Sequence, residues 1–220
     1  MFFPIQYLIN HGIPQETISL LLMIPIIATI IALSRQVIGI KGFGIYTPLI
    51  ISFAFLSTGL KFGLMLFLAI LLVGTLSRLV VKKLRLLYLP RMAIIVIIVT
   101  LTVIGAMYLG IYANRTEVIT TSIFAILIMI TLIEKFIAAQ IEQGARGAII
   151  LTSETLILSI ISFWVVNWSW LQDVVVQYPV WIIIFSLLTN LLLGRWTGLR
   201  LFEYYRFREV IKNVELPKKK

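Results

Sequence analysis

The sequence predicts an all-α, polytopic membrane helix bundle with seven transmembrane helices, the second short enough to be re-entrant. Three observations predict it. Of the 220 residues, 60% are hydrophobic and 13% charged, too few polar groups to cover a soluble domain of this length. The apolar residues fall in long runs separated by short charged connections. A run of about 20 such residues crosses the hydrocarbon layer as a helix, which satisfies its own backbone groups where water is absent. Finally, seven spans with an outside N-terminus put every Lys and Arg except Lys61 and Arg115 on the inner side.

Taken in order, the spans are expected at about 17–34, 43–60, 62–80, 92–112, 118–141, 147–167 and 177–198. Residues 1–16 form an extracytoplasmic segment, and 199–220 a basic cytoplasmic tail ending in Pro217 and three lysines. The first sixteen residues lack a basic start, and no small-residue cleavage site follows the first apolar run, so no signal peptide is expected. The second span is the weakest, being short and containing Pro48. Making it re-entrant gives six spans with both termini inside; the tail stays cytoplasmic, but the charge partition is less clean. Tyr108 and Tyr112 close span four, Trp164, Trp168 and Trp170 cluster at the outer end of span six, and Trp181 lies near the outer start of span seven. Amphipathic rings favour the membrane interface; packing between helices is the plainer alternative.

Four segments carry polar groups that ask for an explanation. In the loop after span one, Gly39, Gly42 and Gly44 permit sharp changes of backbone direction, and Thr47 and Pro48 suit the first turn of the next helix. Unpaired N–H groups at a helix start attract an anion, with Arg35 and Lys41 adding positive charge. The plainer reading is a tight turn with positive-inside anchors, and the spacing is not that of a nucleotide-binding fingerprint. Glu134 and Lys135 are adjacent near the end of span five, so on a helix they point about 100° apart and each needs another partner. Glu142 and Arg146 are four residues apart, but Gly144 intervenes.

Glu154 lies seven residues into span six, roughly 10 Å along the axis. An acidic group at that depth is costly unless protonated, paired or hydrated, which makes it a functional candidate or a member of a buried network. Arg35, Lys135 and Arg195 fall at inner ends of spans and are its candidate partners. Beyond Arg195, the tail cations Arg200, Arg206, Arg208, Lys218, Lys219 and Lys220 suit anionic lipid or an acidic partner.

The chemistry that is missing narrows the function. Cysteine is absent, and the only His and Asp, His11 and Asp173, lie outside the expected spans. No zinc-binding helix, intramembrane aspartate pair, serine–histidine dyad or phosphate-binding loop can be assembled. No catalytic residue, metal or cofactor is therefore expected, and the chain is read as a non-enzyme. The net charge of +10 is a matter of topology in a membrane protein, and no nucleic-acid partner is inferred from it.

Four ordered blocks carry a family resemblance: Arg35-Gln36-Val37-Ile38-Gly39-Ile40-Lys41 with Phe43-Gly44-Ile45-Tyr46-Thr47-Pro48; Leu86-Leu87-Tyr88-Leu89-Pro90-Arg91-Met92-Ala93; Glu134-Lys135-Phe136 with Ala139-Gln140-Ile141-Glu142; and Gly194-Arg195-Trp196-Thr197-Gly198-Leu199-Arg200. Together they cover about residues 12 to 208 and resemble the bacterial seven-transmembrane domain usually fused to an inactive transglutaminase-like domain. The resemblance implies seven helices in the bacterial inner membrane and association with a cytoplasmic ATP-dependent peptide ligase of the glutamate-ligase type. A looser similarity to the small membrane subunit of poly-γ-glutamate synthesis implies a non-catalytic component that helps make, anchor or export an amino-acid or peptide product. The transglutaminase-like domain precedes the helices in that family, whereas about sixteen residues precede span one here. Three expectations stay open: the soluble part is a separate, periplasmic transglutaminase-like partner, or it has been cut away from this sequence, or this branch works without it. A small transporter or channel is the alternative function.

Overall fold

A computed structural model describes residues 7, 9–83, 86–112 and 123–195. These are helical nearly throughout: α1 Gln15–Leu33, α2 Tyr46–Thr58, α3 Leu60–Lys82, α4 Tyr88–Tyr112, α5 Ile123–Glu142, α6 Gly144–Val166, α7 Ser169–Gln177 and α8 Pro179–Gly194. The chain divides into two compact units, one made of Met1–Lys41 with Trp168–Lys220, the other of Gly42–Asn167.

Among the described residues five helices are long and apolar enough to cross a membrane, and six if α7 and α8 count as one bent span. Each of the seven expected spans corresponds to a helix, with small shifts at the ends. The first runs on past α1 through a π-helical turn, Ser34–Ile38, closed by the Gly39 N–H donating to Ser34 O at 3.1 Å. The start of the fifth, 118–122, and the end of the seventh, 196–198, lie outside the described residues, as does the whole tail with Arg200, Arg206, Arg208, Lys218, Lys219 and Lys220.

In the Gly42–Asn167 unit, α2 packs against α3, α5 and α6, while α3 also packs on α4 and α5. With 13 residues at about 1.5 Å rise, α2 is about 20 Å long, shorter than a hydrocarbon core of ~30 Å. It is nonetheless the most enclosed helix of the unit: Thr47, Pro48, Ile51, Ser52, Ala54, Phe55 and Thr58 are all buried. Gly59, at φ +75°, ends it and turns the chain directly into α3. That hairpin closes tightly because residue 63 has no side chain. A Cβ there would stand 2.5 Å from Thr58 Oγ1 and 2.8 Å from Phe55 Cδ1. Gly74 lets α3 approach α5 in the same way, since its Cβ would lie 2.7 Å from Ile133 Cγ2. Small residues are what allow helix backbones to pack closely where no hydrophobic force drives them together. A core of Ile51, Phe55, Phe67, Ile70, Ile95, Met129 and Ile133 fills the interior.

In the other unit, α1 packs against α7 and α8. Ile18 and Val176 form a small buried cluster with Ile9 and Leu22. The sequence reading placed a connection over 168–176; the structure instead forms α7 there, bent by 101° from α8. Tyr178 and Pro179 make the break, since proline supplies no N–H to continue the ladder and suits the first turn of a new helix. The expected interfacial tryptophans Trp164, Trp168, Trp170 and Trp181 are all exposed.

Candidate functional site

The glycine loop before α2 and the middle of α6 meet inside the larger unit. Gly42, at φ +44°, turns two successive amides toward α6. The Gly42 N–H donates to Glu154 Oε2 at 2.9 Å, and the Phe43 N–H donates to Thr155 Oγ1 at 2.9 Å. Thr155 is almost fully buried and its hydroxyl donates in turn to Leu151 O at 2.7 Å. A Cβ on residue 42 would approach that same Oγ1 to 3.3 Å, so the position demands glycine on two counts, backbone conformation and space. A carboxylate of the protein itself thus accepts from the loop that leads into α2. Gly39 and Gly44 also adopt positive φ, at +97° and +78°, as the expected sharp turns require.

The depth of this contact differs from the sequence estimate. Gly144, at φ +79°, opens α6 three residues earlier than expected, so Glu154 lies ten residues along it, roughly 15 Å. On the neighbouring helix, Lys135 is seven residues before the end of α5, about 10 Å. Its Nζ donates to Thr47 Oγ1 at 2.6 Å, in the first turn of α2 with Pro48. The start of α2 is therefore fixed from two sides, by Glu154 and Thr155 of α6 and by Lys135 of α5, well inside the α5–α6 hairpin. Half-length helices whose N-termini begin at such depth put a positive dipole end within the membrane layer.

The other expected site residues take separate places. Glu134 is exposed on α5. Glu142 ends α5 and Arg146 lies in the first turn of α6, both exposed and on different helices, so they do not form a pair within one helix. Arg35 belongs to the π-helical turn, Lys41 follows it, and Arg195 caps the end of α8; all three are in the smaller unit.

Two polar features escaped the sequence reading. Arg78 Nη1 of α3 donates to Gln140 Oε1 of α5, whose side chain is buried. Gln140 continues the buried stripe Met129, Leu132, Ile133, Phe136, Ile137, and a polar residue interrupting such a stripe was the available signal. On α6, Thr152, Thr155, Ser159 and Ser162 are buried along one face; the first three bond back to carbonyls of their own helix, and Ser162 Oγ has no partner among the described residues.

The long apolar helices and the buried hydroxyl and glycine contacts between them define a polytopic α-helical membrane protein. The chain belongs to the family described as seven transmembrane helices usually fused to an inactive transglutaminase, which it matches over residues 7–211. This bears out the resemblance carried by the four sequence blocks, and with it the seven-helix class. No curated protein and no solved structure matches the chain.

Proposed function

We propose that the protein is a non-catalytic integral membrane subunit of a bacterial system that makes, anchors or exports an amino-acid or peptide product. In this reading it works with a cytoplasmic ATP-dependent peptide ligase or a periplasmic transglutaminase-like protein. It lies in the inner membrane with the N-terminus outside and the basic C-terminal tail in the cytoplasm. The observation that carries the reading is family membership across residues 7–211, since the domain usually joined to these helices is itself inactive. The geometry supports it: the deep carboxylate of Glu154 holds the Gly42 amide, and the Lys135 ammonium holds the Thr47 hydroxyl, so both serve the seating of α2. The basic residues of the expected inner side offer an acidic partner or a glutamate-rich product a complementary surface.

The test is affinity purification of the tagged full chain from its native membrane in mild detergent, followed by mass spectrometry. A peptide ligase or transglutaminase-like protein at fixed stoichiometry is expected. A homogeneous particle of this chain alone, together with liposome flux abolished by Glu154→Gln, would replace the subunit reading with that of a small transporter.

A further inference from the structure

Between α2 and α5 the larger unit leaves a cavity of about 180 Å³, walled by Thr47, Ile50 and Ile51 on one side and Ile128, Leu132 and Lys135 on the other. The α5 residues follow one another at i, i+4 and i+7, so they share a face and the trough runs roughly 10 Å along it. Its walls are aliphatic, and the Lys135 ammonium stands at one end, donating to Thr47 Oγ1. Thr47 is neutral, and an ammonium carries three donors and a full charge. Glu134, next in the chain, points about 100° away around the helix. The first turn of α2 adds its own positive partial charge at the same end. Ile50, Thr131 and Lys135 are exposed, so the trough opens to whatever surrounds the helices, which for a membrane-spanning chain is lipid.

We propose that this trough binds an anionic phospholipid of the surrounding bilayer, an acyl chain lying along Ile51, Ile128 and Leu132 and a headgroup phosphate oxygen accepting from Lys135 Nζ. Charge complementarity selects the occupant. A zwitterionic lipid brings a cation that already offsets its phosphate, whereas an anionic lipid leaves its charge for Lys135. A soluble anion satisfies the ammonium but leaves the aliphatic walls unfilled. This binding does not rest on the partner assignment made above.

The experiment is native mass spectrometry of the full chain released from nanodiscs of equal phosphatidylglycerol and phosphatidylcholine, with each variant first shown to be monodisperse. The wild type is expected to retain one phosphatidylglycerol in preference to phosphatidylcholine by about tenfold, the size of one charge-assisted hydrogen bond. Lys135→Met should bring that ratio close to one, while Lys135→Arg should keep it. Thr131→Trp, which fills the exposed side of the trough without touching the charge, should lower retention of both lipids. Glycerol 3-phosphate, the headgroup without chains, should not displace the lipid. Equal retention of the two lipids by the wild type, or an unchanged ratio in Lys135→Met, overturns the proposal, and displacement by glycerol 3-phosphate reassigns the site to free phosphate. If Lys135→Met does not fold, the Thr131→Trp variant decides: undiminished phosphatidylglycerol retention places the lipid elsewhere.

Discussion

Two short apolar helices, α2 and α8, are treated in opposite ways by the fold. Tyr46–Thr58 buries Thr47, Pro48, Ile51, Ser52, Ala54, Phe55 and Thr58 among three neighbouring helices. Pro179–Gly194, three residues longer, buries only Pro179 and Ser186 and leaves Trp181, Phe185, Leu187, Leu188, Leu191 and Leu192 exposed. Hydrophobicity does not separate them, because lipid tails are as apolar as leucine. The separation lies in small and hydroxyl-bearing residues, which permit close backbones and inter-helix hydrogen bonds. In α2 these recur along the helix at Thr47, Ser52, Ala54, Ser57 and Thr58; in α8 they are Ser186, Thr189 and Asn190, with Gly194 at its end. The enclosed helix α2 sets small and hydroxyl-bearing side chains between its large buried ones, whereas the large side chains of α8 are mostly exposed.

Matched substitutions put that contrast under the most strain. Phe55 is 0% exposed and Phe185 71% exposed. Phe55→Ala should lower the stability of the detergent-solubilised protein by about 3–5 kcal/mol, the usual cost of emptying a well-packed aromatic site. Phe185→Ala should cost within about 0.5 kcal/mol, as surface replacements do. Equal shifts in thermal unfolding for the two would dissolve the distinction between the helices. Overfilling probes the same packing from the other side. Gly63→Val puts methyl groups against Thr58 and Phe55, where even a Cβ has no room, and should cost about 1–3 kcal/mol.

A smaller effect is expected at the start of α2, where the loop is held by hydrogen bonds. Gly42→Ala asks an L-residue to take φ +44° and crowds Thr155, so a loss of about 1–2 kcal/mol is expected from the left-handed backbone alone. Glu154→Gln keeps an acceptor oxygen for the Gly42 N–H and should accumulate in the membrane nearly as the wild type does. Glu154→Leu removes it and should cost about 1–3 kcal/mol, as leaving a part-buried donor unsatisfied does. Quantifying folded protein by fluorescence size-exclusion after graded heating tests all three. Equal loss in the Gln and Leu variants would mean that the charge, and not the hydrogen bond, seats the loop.

The spans were legible because hydropathy over about 20 residues reports directly on the bilayer, and the glycine loop because three glycines in six residues have few other uses. What sat between the helices was harder to read. For Glu154 the sequence offered the cations Arg35, Lys135 and Arg195 as partners, and for Lys135 it sought an opposite charge. The described contacts include an amide at Gly42 and a hydroxyl at Thr47, 112 and 88 residues away in the chain. Charges announce themselves in a sequence, whereas a backbone N–H becomes a specific donor only once φ at Gly42 aims it, and that depends on packing. The helix α7 was missed for a different reason. Nine residues with Trp170, Gln172 and Asp173 among their first five read as an interfacial connection, and only Pro179 pointed to a break before the next helix.

The least costly change tests the other side of the comparison. On α8, Asn190 Nδ2 donates to Thr29 Oγ1 of α1 at 2.7 Å and to Ser186 O at 2.8 Å, while Thr29 Oγ1 donates to Pro25 O at 2.7 Å. Each Asn190 amide hydrogen thus has an acceptor, and the Thr29 hydroxyl links the two helices. Because the unfolded segment in a membrane also finds partners, such inter-helix bonds are worth only about 0.6 kcal/mol on average. A double-mutant cycle of Asn190→Ala and Thr29→Val should therefore return a coupling near ~0.6 kcal/mol, well below the cost of Phe55→Ala. The cycle isolates the pair from the bond to Ser186, which both Asn190→Ala and the double variant lose. A coupling several times larger would mean that one polar contact can hold α8 as firmly as dense packing holds α2, and the two helices would then differ in means but not in strength of attachment.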